Sequence, residues 1–177
     1  MSDFDAKYLG SLTKELAYAL THEGTNKQGA FAIKTILSQH THLDLSQIDI
    51  ADGVGTRYNM ITAELMVTLL TDLYHDSNRY PILLAALPQS GVSGTLQDRL
   101  KKTVLEKVVY AKTGSMHDIS SLSGYLIRKN ATPLIFSIMI NGVNQPIQVA
   151  KALEDQILLA IVTPDNATSI AKPLKKV

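Results

Sequence analysis

Lys112-Thr113-Gly114-Ser115 is the stretch whose residue types and order are suited to chemistry. It follows a β-branched and aromatic run, Val108-Val109-Tyr110-Ala111, so the pattern predicts a strand that carries these groups at its end. An ammonium and a hydroxyl on neighbouring strand positions offer a cationic, hydrogen-bonding seat for a carboxylate. Gly114, lacking a side chain, lets an acyl ligand lie against the backbone. The next amide, on Ser115, can point at a developing oxyanion. These groups bind and polarise an acyl ligand but supply no nucleophile. By chance alone about 0.06 copies of the triplet are expected at this composition, so its neighbours must carry the assignment.

A nucleophile has one candidate. Ser11 and Lys14 satisfy the spacing Ser-x-x-Lys on a predicted helix, which puts a potential base one turn from the hydroxyl. About one such match is expected by chance in this sequence, so the pair is kept only as an alternative. His117 lies three residues past Gly114 in a predicted loop, where an exposed role is the ordinary one. His40 and His42, two apart with no other histidine or cysteine grouped near them, do not make a metal site. Asp44, Asp49 and Asp52 read as capping and turn residues, and Asp98-Arg99 as a surface pair.

The elements that must position these groups follow from periodicity. Leu9, Leu12, Leu16 and Leu20 recur at helical spacing over 5–22, with Gly24 as a stop. A second helix is expected over 28–39, and 40–59 reads as an irregular connection containing Gly53 and Gly55. Thr62 is a good N-cap for a third helix, with Glu64 in its first turn. A short helix over 80–87 begins with Pro81 at its first position, and another is expected around 95–102. From Lys107 the period changes to that of strands, over 108–112, 121–128 and 134–140, with a hairpin loop at 129–133. The last strand, from Leu134 to Ile140, is apolar on both faces and should be covered on both. A final helix is expected over 146–161. Helices, a three-strand antiparallel meander and a closing helix make an α+β fold, with 1–162 as one domain and 163–177 as a polar tail.

Bulk properties exclude several classes. With 177 residues, 45% of them hydrophobic and 19% charged, the chain can build one substantial core and is not a disordered type. A net charge of +1 gives no electrostatic case for nucleic acid. Without cysteine there is no disulfide, thiolate metal site or cysteine nucleophile. No run approaches the roughly 18 apolar residues of a membrane span, and the start has no charged-then-apolar export signature. No metal or organic cofactor is implied.

Five ordered stretches resemble the C-terminal part of a D-alanyl-D-alanine carboxypeptidase/endopeptidase, a class C penicillin-binding protein of the penicillin-binding protein 4 family. They are GTNKQGAFAIKTIL at 24–37, ADGVGTRYNMITAELMVTLL at 51–70, LPQSGVSGTLQDRL at 87–100, YAKTGSMHDISSLSGYLI at 110–127 and LIFSIMING at 134–142. The second resembles the family's Asp-Gly-Ser-Gly-Leu-Ser-Arg block, the third its Gly-x-x-Gly-Thr-Leu turn, and the last two its final strands. Lys-Thr-Gly is itself a signature of penicillin-recognising acyl-serine enzymes.

The resemblance implies a partial β-lactamase/transpeptidase-like fold. It implies that Lys112, Thr113 and Gly114 bind the terminal carboxylate of a D-alanyl-D-alanine peptide or a β-lactam, and that the Ser115 amide serves as an oxyanion donor. It places the intact parent in the bacterial periplasm, acting on peptidoglycan. The pattern departs from the family's in two places. The family's nucleophilic Ser-x-x-Lys lies upstream of everything matched, and its Ser-x-Asn aligns best with Ser2-Asp3-Phe4, where phenylalanine replaces asparagine. Val54 stands where the second block has serine. The expectation is therefore a C-terminal portion that is inactive alone, or a non-catalytic remnant serving as a binding module. In the resembling fold the outer neighbour of strand 134–140 comes from the N-terminal half, so this edge should pair with that half or with a second copy.

Overall fold

The computed structural model describes residues 3–40 and 43–162. The tail expected over 163–177 lies outside them, as do Ser2 and His42. Two helices open the chain, α1 (Asp3–Thr21) and α2 (Asn26–His40), and they pack against each other. They approach closely where Gly29 meets α1: a Cβ there would lie 2.4 Å from Thr13 Cγ2. The irregular connection contains a short 3-10 turn (Leu45–Gln47) capped by the Asp44 side chain, and an isolated antiparallel bridge between Asp49 and Met60.

Helix α3 (Ala63–His75) starts where the sequence predicts, with the Thr62 hydroxyl accepting from the Leu65 amide at 3.1 Å. In α4 (Tyr80–Ala86), Pro81 stands at the second position rather than the first. The helix expected around 95–102 is not formed. A 3-10 turn covers Gly94–Leu96, and left-handed backbone at Leu100 (φ 60°) and Lys102 (φ 58°) ends any helical run. The segment is instead shaped to send Leu96, Leu100 and Leu105 into one core.

The sheet is a meander, β1 (Val109–Met116), β2 (Ile119–Leu126) and β3 (Leu134–Asn141), antiparallel and in that order. β1 runs to Met116, so Lys112-Thr113-Gly114 sits inside the strand and not at its end. β2 begins at Ile119 because only His117 and Asp118 turn the chain, Asp118 with a left-handed φ of 68°. One face of the sheet, Val109, Ala111, Leu122, Leu126 and Phe136, packs with Leu158 of α5 (Ile147–Val162) and with the three core leucines of the 96–105 segment. The opposite face receives α3, and the Tyr125 hydroxyl donates to the Leu70 carbonyl at 2.8 Å. Tyr74, Tyr80 and Tyr125 stack edge to face in succession there. β3 is covered on both faces as its composition predicts, yet only Phe136 is buried, because β3 is an edge strand. Among the described residues no strand pairs with its outer side.

One ionic cluster is buried beneath this sheet. Glu154 of α5, with no exposed surface, accepts from the Ser120 hydroxyl at 2.6 Å and from Arg99 Nη2 at 2.9 Å. Arg99 also holds Asp155 through Nε and Nη2. The expected Asp98-Arg99 surface pair is thus replaced: Asp98 pairs with exposed Lys101, and Arg99 turns inward. Removing one partner of a buried pair strands the other's charge and costs more than the pair's net worth. Glu154→Ala is expected to lose about 3 kcal/mol in urea unfolding, whereas Lys101→Ala loses less than about 1 kcal/mol. Equal losses for the two variants would show that the buried cluster is not a stabilising junction.

Candidate active site

The geometry of β1 decides what its motif can do. Cross-strand partners share a face, so Lys112 and Gly114 lie over Ser123 and Ser121, and Thr113 and Ser115 lie with Leu122 and Ser120 on the α5 side. The backbone alternates as well. On β1's outer edge the Val109 carbonyl accepts from the Ser90 amide, and the Ala111 amide donates to the Pro88 carbonyl, both near 3 Å. Backbone groups of alternate residues point the same way, so the amides of Thr113 and Ser115 also face outward. Pro88, Gln89 and Ser90 cover the edge only as far as Ala111. Beyond that point nothing among the described residues pairs with it, and the outward amides open into a cleft.

That cleft, about 650 Å³, lies between β1, the start of α1 and the 53–59 loop. Lys112, Thr113, Gly114 and Ser115 all line it. The Lys112 ammonium donates to the Thr113 carbonyl, and the Thr113 hydroxyl donates to Thr95 Oγ1 at 2.9 Å. A Cβ on Gly114 would lie 2.5 Å from Ser121 Oγ, so only glycine leaves that hydroxyl in place on the cleft floor. Ser11 and Lys14 are exposed on α1, and neither is among the residues lining the cleft. His117 is exposed and paired with Asp118 at 2.8 Å. Among the described residues no group of three or more His, Asp or Glu is placed to hold a metal ion.

Residues to which the sequence assigns no part in a site complete the walls. Thr95, Arg99, Ser121 and Lys151 come from three elements, and only the fold brings them to one place. The 53–59 loop, which carries Arg57 to the cleft, is organised by Asp52. One Asp52 oxygen accepts from the Val54 and Gly55 amides at 2.9 Å each and from Asn59 Nδ2 at 3.1 Å; the other accepts from the Thr56 hydroxyl at 2.5 Å. Gly53 is wedged against α1: a Cβ there would lie 1.9 Å from Thr13 Oγ1. Burial disfavours charge on Asp52, but the donors from Thr56, Asn59 and Gly55 outweigh it and hold the carboxyl at about 2, below its ordinary 3.8.

Three comparisons with known proteins agree with the sequence motifs and the fold. The family model for the D-Ala-D-Ala carboxypeptidase 3 (S13) family matches residues 1–161, and the chain belongs to that family. The D-alanyl-D-alanine carboxypeptidase of Actinomadura sp. is 31% identical over 179 residues, covering 93% of this chain and 32% of that protein. The crystal structure of penicillin binding protein 4 from Haemophilus influenzae superposes with a TM-score of 0.73 at 27% identity, over 82% of this chain and 32% of that one. Its complex with a β-lactam superposes with a TM-score of 0.74. The α+β arrangement of helices, three-strand meander and closing helix is accordingly a partial transpeptidase-like fold. The chain spans about a third of the length of the curated carboxypeptidases it matches in Actinomadura and Haemophilus influenzae.

The depressed Asp52 value carries a pH dependence. A carboxyl lowered on folding stabilises the folded loop above its unfolded value and loses that contribution as pH falls through the folded one. Order in the 52–59 loop is therefore expected to hold above pH 3.8 and to fade towards pH 2, read by amide shifts in an acid titration. Asp52→Asn should abolish that step and loosen the loop at neutral pH. An unchanged titration in the variant would assign the transition to another group.

Proposed function

We propose that this chain is the C-terminal portion of a serine-type D-Ala-D-Ala carboxypeptidase/endopeptidase that acts on peptidoglycan peptides in the periplasm by acyl-serine transfer. It supplies the ligand-binding wall and not the nucleophile. The observation that carries the reading is the half-covered edge of β1, where a cation, a hydroxyl and two outward backbone amides border one cleft. Lys112 and Thr113 seat the terminal carboxylate of the peptide. Gly114 admits the acyl chain against the strand, and the Ser115 amide donates to the carbonyl oxygen as it gains charge. A serine contributed by the rest of the parent attacks that carbonyl, the terminal D-alanine leaves as amine, and water hydrolyses the ester formed. Ser11 has none of this surrounding machinery, and Lys14 beside it is exposed.

A second reading is a non-catalytic module that keeps the fold in order to bind a partner or cell-wall peptide. Val54 in place of the block's serine, and Phe4 in place of asparagine, favour it. The genomic reading frame preceding Met1 separates the two. A continuous frame with an export leader and Ser-x-x-Lys supports the enzyme portion, and a start at Met1 with no such segment supports the module.

Two measurements test the chain directly. Incubated with a labelled penicillin, it is expected to show no covalent adduct by intact mass; stoichiometric acylation mapped to Ser11 overturns the assignment of the nucleophile to the rest of the parent. The side of β3 that pairs with no strand among the described residues presents β-prone backbone flanked by apolar residues, a template for another strand. Light scattering should therefore show mass rising with concentration through self-pairing, with fast hydrogen exchange at outward amides of 134–140 in dilute protein. A strict monomer with those amides strongly protected would sink the placement of a partner on this edge.

A further inference from the structure

One cation in the cleft is used by none of the motifs. Lys151 lies in the second turn of α5, half-buried, and lines the cleft on the side to which Thr113 and Ser115 point. A short segment fixes it relative to the strand. Arg99 Nη2 donates to the Lys151 carbonyl at 3.0 Å, and Thr95, four residues before Arg99, accepts the Thr113 hydroxyl at 2.9 Å. The turn of α5 that carries Lys151 and the strand position that carries Thr113 are thus both tied to 95–99.

The charges lining the cleft are one-sided. Arg57, Arg99, Lys112 and Lys151 border it, and among the described residues no aspartate or glutamate does. Arg99 is answered by Glu154 and Asp155 behind the wall, and the Lys112 ammonium donates to the Thr113 carbonyl. Among the described residues Lys151 forms no ion pair. Arg99 Nη1 is buried with no partner, leaving a donor unspent in the same wall. Concave, partly desolvated surroundings strengthen the pull of such a cation on an anion.

The geometry points to Lys151 as a specificity-determining residue that, from the α5 side, binds the terminal carboxylate of the ligand oriented by Thr113. The inference rests on the reading of this cleft as a D-alanyl-D-alanine peptide site. It selects for ligands with a free carboxylate over their amides, and Arg99 acts as the positioning residue that holds Lys151 in place.

The test is a titration of the chain with N-acetyl-D-alanyl-D-alanine and with its C-terminal amide, followed by the amide shifts of residues 113 and 115. The wild-type chain is expected to bind the carboxylate form more tightly. Lys151→Gln, which keeps a good helix former, should weaken that form about fivefold, flatten its salt dependence and leave the amide unaffected. Lys151→Arg should retain most of the preference. If Lys151→Gln binds the carboxylate form as the wild type does while Thr113→Val loses it, the role of Lys151 is overturned and the cleft assignment stands. A wild-type chain that binds neither form overturns both.

Discussion

Arg99 is the residue on which the arrangement of the site depends. Its guanidinium reaches from the 94–105 connection to Glu154, Asp155 and the Lys151 carbonyl, and Glu154 passes the contact on to Ser120 of β2. Three segments far apart in sequence are thereby held at one point, directly behind the strand that carries Lys112 to Ser115. A planar fork suits this task where a lysine would not, because it engages carboxylates and a carbonyl at fixed angles. The cost of burying the charges is met by the completeness of the bonding around Glu154. Hydrophobic packing of Leu96, Leu100 and Leu105 on the sheet then holds the connection shut around the cluster.

The cleft is a by-product of incomplete pairing. Pro88 to Ser90 pairs with the outer edge of β1 as far as Ala111, and among the described residues no backbone pairing with this edge follows as the strand runs on to Met116. An edge left open in this way carries unsatisfied donors and acceptors, which proteins ordinarily blunt or cover. Here the exposed stretch holds the glycine and the polar side chains, so the same backbone that is a pairing hazard forms one wall of the cleft. β3 presents an edge of opposite character, flanked by apolar side chains.

Much of this was legible in the sequence. Helical periodicity placed α1, α2, α3 and α5 within a few residues, and the Thr62 cap set the start of α3 to the residue. The strands were visible through their β-branched runs, and ordered motifs pointed to the family. The failures have physical causes. The 95–102 segment has helix-compatible residues, but its leucines are claimed by the sheet and its backbone turns left-handed at Leu100 and Lys102. The sequence understates the length of β1 because Gly114 breaks the β-prone run after Thr113, and the strand stays extended past it by pairing Gly114 and Ser115 with Ser121 and Ser120. Arg99 read as a surface residue because its partners lie more than fifty positions away. Distances of that kind have no local signature, and the same holds for Thr95 and Lys151 in the cleft wall.

The tyrosine stack has an optical consequence. The chain contains no tryptophan, so its near-ultraviolet dichroism and intrinsic fluorescence arise chiefly from the phenol rings of its seven tyrosines. Three of the seven tyrosines, Tyr74, Tyr80 and Tyr125, are edge to face where α3 and α4 meet the sheet, and burial pushes the Tyr125 hydroxyl well above the ordinary phenol range. Coupled, asymmetrically held rings dominate such a spectrum, whereas exposed ones such as Tyr8, Tyr18 and Tyr58 contribute little ellipticity. The molecule thus carries its own chromophore for the docking of α3 and α4 onto the sheet. Separation of these helices from the strands is visible as loss of tyrosine ellipticity, without any introduced label.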